Sequence, residues 1–135
     1  MVAVSLKKKC RRVEPAELAA AVAREARRGA GWVKLVGDWI SRDEGDLAPS
    51  FPAEAFARAI AMAHQHGAKV TAHCFGHEVL PALIDAGIDC IEHGMMISDA
   101  TIQRLVDTGT FLVSTCALTE NWDISAQPKA AHATA

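Results

Sequence analysis

From about residue 14 onward, runs of helix-spaced apolar residues alternate with short apolar stretches, and glycine closes each helical run. This alternation limits the possible folds more than any other feature of the chain. Pro15 suits the first turn of a helix, and Leu18, Ala19, Val22, Ala23 and Ala26 recur at helical spacing before Gly29 and Gly31 stop the run. Residues 32–36, Trp-Val-Lys-Leu-Val, then predict a strand. Residues 37–50 read as a loop. Pro52 opens a second helix with Phe56, Ala59, Ile60 and Ala63 on one face, closed by Gly67, and 69–73 predicts a second strand. A short helix carries Val79, Leu80, Leu83 and Ile84 to Gly87, with Pro81 in its first turn. Residues 89–93 predict a third strand. Ser98 caps a helix through Ile102, Leu105 and Val106, Gly109 stops it, and 110–115 predicts a fourth strand.

Helices alternating with apolar strands imply βαβ units and a parallel sheet, hence an α/β fold. The predicted strands start near residues 32, 69, 89 and 110, so the last two intervals are about 20 residues, close to the minimum for a strand, a crossover helix and two tight loops. That spacing suits a repeating barrel and equally a small open doubly wound sheet. No glycine-rich phosphate loop follows any strand. The run Gly29-Ala30-Gly31 precedes its strand, the wrong side for a dinucleotide fingerprint.

The 135 residues fit one domain with a real core. A hydrophobic share of 50% excludes a disordered chain, and a net charge of −2 asks for neither nucleic acid nor an acidic membrane as a partner. No uncharged apolar run approaches the roughly 20 residues that span a bilayer. In Met1–Leu6 followed by Lys7, Lys8 and Lys9, the charges come after the apolar residues, the reverse of a secretory signal. These observations read as a soluble, cytoplasmic protein. Residues 1–12 read as a basic, solvated and flexible arm, 13–118 as the folded unit, and 119–135 as an irregular tail. Cys10, Cys74, Cys90 and Cys116 form no CxxC pair, so they read as small hydrophobes in a reducing compartment.

Three polar residues stand where buried parallel strands should be apolar: Lys34, His73 and His93. Each histidine ends its predicted strand, and ligands of parallel α/β sheets bind at the carboxyl ends of strands, so both imidazoles should reach one site. Lys34 sits two residues deeper, and its stem can reach the same place from below. A buried lysine is costly and tends towards the neutral amine, a nucleophile that can take up carbon dioxide to give a carbamate. A carbamate and two imidazoles suit divalent metal. The structural alternatives are hydrogen-bonded strand-end histidines and a lysine on a solvated edge.

The stretches Trp32-Val33-Lys34-Leu35-Val36-Gly37-Asp38, Ala68-Lys69-Val70-Thr71-Ala72-His73 and Gly87-Ile88-Asp89-Cys90-Ile91-Glu92-His93-Gly94 carry a resemblance. The segment from Glu14 to Trp122 resembles the middle of the amidohydrolase superfamily, closest to its imidazolonepropionase-like and metal-dependent prolidase or carboxypeptidase branch. The resemblance implies a distorted (β/α)₈ TIM barrel with one or two divalent metals, most often zinc. Lys34 then matches the carbamylated bridging lysine of strand four, His73 the metal-binding histidine of strand five and His93 that of strand six, with 110–115 as strand seven. The implied reaction is hydrolysis of an amide or other carbon–nitrogen bond in a small-molecule or peptide-like substrate. Asp38, just past the first predicted strand, is a candidate substrate-binding residue, with a loop-capping carboxylate as the alternative. Glu92 precedes His93 and is expected to point to the opposite face. His77 could approach the mouth of the pocket, and an exposed position is the alternative.

The sequence departs from the family at two points. No His-x-His pair precedes Lys34, and no strand with an aspartate follows Thr115; His64 and His66 lie at a helix end. A whole barrel takes about 250 residues. The expectation is therefore a partial barrel of four parallel strands whose catalytic set is incomplete in isolation, with self-association or a complementing chain to cover its open side. Two further readings stay open: a non-catalytic barrel remnant acting as a metal-binding or interaction module, and an open α/β domain in which Lys34 and both histidines are structural.

Overall fold

The structure, a computed structural model, describes residues 2–6, 9–29, 31–41, 43 and 45–115, with side chains from residue 13 onward. The chain opens with two strands, β1 (Val2–Leu6) and β2 (Lys9–Val13), paired antiparallel from Val2 opposite Val13 to Leu6 opposite Lys9. This is the stretch read from sequence as a basic arm. The alternation of Val2, Val4 and Leu6 is the strand signal within it. A 3₁₀ turn, Pro15–Glu17, leads into α1 (Leu18–Ala26). Then come β3 (Trp32–Val36), a small antiparallel pair β4 (Asp38–Ile40) and β5 (Leu47–Pro49), and α2 (Ala53–Gln65). That small pair lies within the segment read as loop. The rest alternates strictly: β6 (Lys69–Cys74), α3 (Leu80–Asp85), β7 (Cys90–His93), α4 (Asp99–Thr108) and β8 (Phe111–Ser114).

The six-stranded sheet has the order β2-β1-β3-β6-β7-β8. From β3 to β8 every pairing is parallel, so four parallel strands alternate with helices as the spacing predicted. On the other side of β3, β1 runs antiparallel, with Val4 opposite Leu35 and Ser5 opposite Lys34. The helix signals act as expected. Pro52 and Ser98 stand at N-caps, the Ser98 hydroxyl accepting the Thr101 amide at 3.2 Å, and Gly109 closes α4 with φ +69°.

One face of the sheet packs against the helices. Val33 and Leu35 of β3, Val70 and Ala72 of β6 and Ile91 of β7 meet Leu18, Val22, Phe56, Ile60, Leu80 and Leu83 from α1, α2 and α3 in one hydrophobic core. Strand alternation sends Lys34, Val36, Thr71, His73 and Glu92 to the other face. Toward β8 the cover thins. Phe111, Leu112 and Val113 are all exposed, and so are Ile102 and Val106 of α4. Cys74 and Cys90 are buried free thiols, as their reading as small hydrophobes requires. The expectations for 116–135, including Cys116, Trp122 and the tail, fall outside the described residues.

Candidate metal centre

The parallel register sets the site. Val36, His73 and Glu92 stand level across β3, β6 and β7, and one step toward the strand starts stand Lys34, Thr71 and Cys90. Lys34 is therefore two residues deeper than His73 on the same face, as the sequence placed it. By the same alternation His93, level with the buried Cys74, would point into the helices. Its backbone prevents that. His93 has φ +71°, the single non-glycine residue among those described with a positive φ, and Gly94 follows at φ +59°. A non-glycine residue in this region is strained. The turn swings the His93 ring back beside His73, with ring centroids 4.6 Å apart at 72°.

This corrects the expectation for Glu92. It lies on the same side as Lys34, His73 and the His93 ring, because the positive φ at His93 breaks the alternation on which the opposite-face reading relied. Glu92 forms an ion pair with the Lys34 amine through Oε2, and its Oε1 accepts the Thr71 hydroxyl at 3.0 Å. The burial expected of Lys34 is also only partial: its side chain keeps 38% of its accessible surface, and its amine is held by a carboxylate.

The two imidazoles have distinct surroundings. His73 is 9% exposed, and its Nε2 is buried with no hydrogen-bond partner. Buried polar atoms normally have one. Burial, then the neighbouring His93 and Lys34, pull the His73 pKa down to about 4, against Glu92. His93 is lowered too, by burial and by Lys34, with Glu92 opposing, and its Nδ1 meets the Thr115 hydroxyl at 3.0 Å. Both rings are thus held toward the neutral form that ligates metal. Phe75 packs against both, 4.4 Å from His73 and 5.0 Å from His93, and the exposed Trp39 ring lies 5.2 Å from His73. Nothing in the spacing of the sequence announced Phe75, Trp39 or Thr115 as neighbours of the pair, or Thr71 as a partner of Glu92. The Glu-His-Gly run was the available signal for Glu92, since glycine after histidine marks a sharp turn.

Asp38 is 2% exposed and its carboxylate is fully engaged. It accepts the Phe75 amide at 3.0 and 3.1 Å and the Gly76 amide at 2.6 Å. Burial pushes its pKa up, against the two amides that pull it down. This is the loop-capping geometry given as the alternative. Asp38 also borders a concavity with Leu47, Pro49, His77, Val79 and Met96, and His77 is exposed at its rim. Cys74, beside the site, is pushed up by burial and then by Asp38 and Glu92, which leaves the thiol inert. His64 and His66 are exposed at the end of α2, where His64 Nε2 lies 2.8 Å from Asp89.

As a metal site the donor set is a fragment that fits. An orphaned buried imidazole nitrogen and a second imidazole beside it are donors a divalent ion can use, whereas Lys34, ion-paired to Glu92, has no lone pair to offer in this state. Among the described residues no group of three His, Cys, Asp or Glu side chains converges to hold an ion.

No family model matches the chain. Over 109 residues it is 54% identical to uncharacterised proteins of Mycobacterium bovis and Mycobacterium tuberculosis. That match takes in 81% of this chain and 30% of theirs, so the chain spans less than a third of the length of these relatives. Among solved structures it overlays on a Xaa-Pro dipeptidase with bound methionine in its active site, with a TM-score of 0.67, 28% identity, 82% of this chain and 28% of that one. It overlays on A. niger ochratoxinase with a TM-score of 0.72, 25% identity, 82% of this chain and 26% of that one. Molinate hydrolase gives a TM-score of 0.62 at 20% identity, over 89% of this chain and 28% of that one, and speaks for the fold alone. The fold is amidohydrolase-like, and the chain covers a fraction of the barrels it matches.

Proposed function

We propose that this chain carries the middle of a metal-dependent amidohydrolase-type site, with β3, β6, β7 and β8 in the places of barrel strands four to seven. The observation that supports it most is the pairing of His73 and His93, brought side by side from two successive strand ends by a strained backbone, with one buried nitrogen left unpartnered. Strained, non-glycine positive-φ residues persist where the surroundings hold them and cluster at functional sites.

In this reading His73 and His93 would hold a divalent ion, zinc by resemblance, and Lys34 would join them once carbamylated. Bound there, the metal would supply Lewis acidity and a water of lowered pKa. The chain's own part is to keep both imidazoles neutral by burial, to set both rings against Phe75 and to flank His73 with Trp39. Starting from the ion-paired ammonium, Lys34 loses one proton to become the neutral amine, and a second as its nitrogen bonds the carbon of carbon dioxide to give the carbamate. Carbamylation also requires the amine to leave Glu92, so this carboxylate holds Lys34 in reserve. The substrate class is a small amide or peptide-like molecule. The exposed edge at β8 calls for a complementing chain or a second copy. No helix among the described residues is long and apolar enough to cross a membrane, and a cytoplasmic setting is part of this proposal.

A second reading, a non-catalytic metal-binding or interaction module, is favoured by the absence of a three-ligand His, Cys, Asp or Glu cluster among the described residues. Metal content tests the metal site itself, and turnover of a small amide by the metal-loaded chain separates a hydrolase from a metal-binding module. Protein purified without chelators should carry stoichiometric zinc, and a His73→Ala, His93→Ala double variant none. Equal, negligible zinc in both would overturn the metal site.

A further inference from the structure

The end of β6 is tied down from one side by two consecutive residues. The Gly37 amide donates to the His73 carbonyl at 2.8 Å, and the next residue, Asp38, accepts the amides of Phe75 and Gly76. From the other side the Gly94 amide donates to the Cys74 carbonyl at 3.0 Å. Residues 73–76 are therefore fastened one after another. The approach at Gly37 leaves no room for a side chain, since a Cβ there would lie 2.6 Å from Cys74 Sγ and 2.9 Å from the His73 carbonyl oxygen.

A carboxylate with no cation against it among the described residues and almost no solvent contact is an expensive way to close a loop. A serine or asparagine would cap the same turn. What the carboxylate adds is a second acceptor: Oδ2 takes both amides, Oδ1 takes the Phe75 amide as well, and the residue between Cys74 and Gly76 is oriented by that double hold. That residue is Phe75, whose ring packs against both His73 and His93.

We propose that Asp38 is a positioning residue for the imidazole pair: by holding the Phe75 and Gly76 amides it sets the Phe75 ring, and through that ring the orientation of His73 and His93. This rests on the reading of the imidazole pair as the site, but the test needs no metal. In the metal-free full chain, imidazole nitrogen and proton resonances are recorded for wild type, Asp38→Asn and Phe75→Leu, with amide exchange at 75 and 76. Asp38 Oδ2 accepts both amides and Oδ1 only that of Phe75, so an Asp38→Asn side chain with its oxygen at the Oδ2 position keeps Gly76 and turns a donor toward the Phe75 amide. The expected result is up to about tenfold faster exchange at 75, the equivalent of one such bond. Both imidazole signals should move, core signals of Phe56 and Ile60 should stay, and Phe75→Leu should move the same two imidazoles. Faster exchange with unmoved imidazoles would overturn the proposal and leave Asp38 a loop cap. If Asp38→Asn does not fold, wild type and Phe75→Leu decide it. Unprotected amides at 75 and 76, or imidazoles indifferent to Phe75→Leu, overturn it; protection with shifted imidazoles upholds it. Absence of zinc in the wild type would sink the metal reading and leave these outcomes unchanged.

Discussion

The two faces of the parallel sheet are made from the same strands and have opposite characters. Along β6, Val70 and Ala72 are fully buried beneath α2 and its neighbours, whereas Lys69 is exposed, Thr71 is half-buried and His73 stands in a polar cluster. On the helix-covered face, apolar side chains fill one core, and most of the folding free energy must come from there. On the open face, Trp32 is 45% and Phe111 63% exposed, Lys69 lies 5.6 Å from the Trp32 ring, and the ionisable groups pair with one another. One face therefore makes the fold, and the other carries the polar cluster.

The sharpest way to break this contrast is in the core. Phe56→Ala, at a fully buried position, should cost about 3–5 kcal/mol in urea unfolding. A loss under 1 kcal/mol would mean that the helix-covered face does not carry the fold. The next largest effect is on the open face. His73 has its pKa lowered from 6.5 to about 4 in the folded chain. Between those values the unfolded state binds the proton and the folded state does not. Stability of the metal-free protein should thus fall by roughly 3 kcal/mol as pH drops from 6.5 to 4, and His73 should contribute no slope above that window. The Asp38 carboxyl, raised by burial, acts with the opposite sign just above its ordinary value of 3.8. The His73 share is therefore the difference between wild type and His73→Gln. Parallel pH profiles for the two would show that the imidazole is not desolvated.

A smaller effect reports the strain at His93. Glycine is normally worse than alanine within a strand. At φ +71° the order should invert, with His93→Gly more stable than His93→Ala by about 1 kcal/mol. The usual order would mean that the backbone relaxes once the ring is gone. The smallest effect is expected of the ion pair. Replacing both partners, Lys34→Met with Glu92→Gln, should change stability by less than about 1 kcal/mol, since the pair is partly open to water. Lys34→Met alone, which strands the Glu92 carboxylate, should be the worse of the two in the same denaturation series.

The fold was legible where periodicity and end signals agree. Pro52 with Phe56 and Ile60, Ser98 with Gly109, and the four apolar stretches gave α2, α4 and the parallel strands to within a residue or two. The β1–β2 pair was obscured because its strands are short and a lysine and two arginines crowd the second. The pair β4 and β5 was obscured because three residues are too few for a periodic signal. In the site, Lys34 and His73 followed from strict alternation. Glu92 did not, because alternation assumes an extended backbone and His93 departs from one. Rings such as Phe75 and Trp39 reach the imidazoles across different loops, and no spacing rule in one sequence encodes that.

The antiparallel strand β1 lies along the edge of β3. In a closed (β/α)₈ barrel every strand has parallel neighbours on both sides. The hydrogen-bonding groups of β3 that would greet such a neighbour are already engaged by Val4 and Ser5. Completing a ring on that side is thus a swap and not an addition: an incoming strand would have to dislodge the hairpin. The opposite margin, at β8, has no such incumbent among the described residues. Growth of this sheet is directional, with a guarded side and a receptive one.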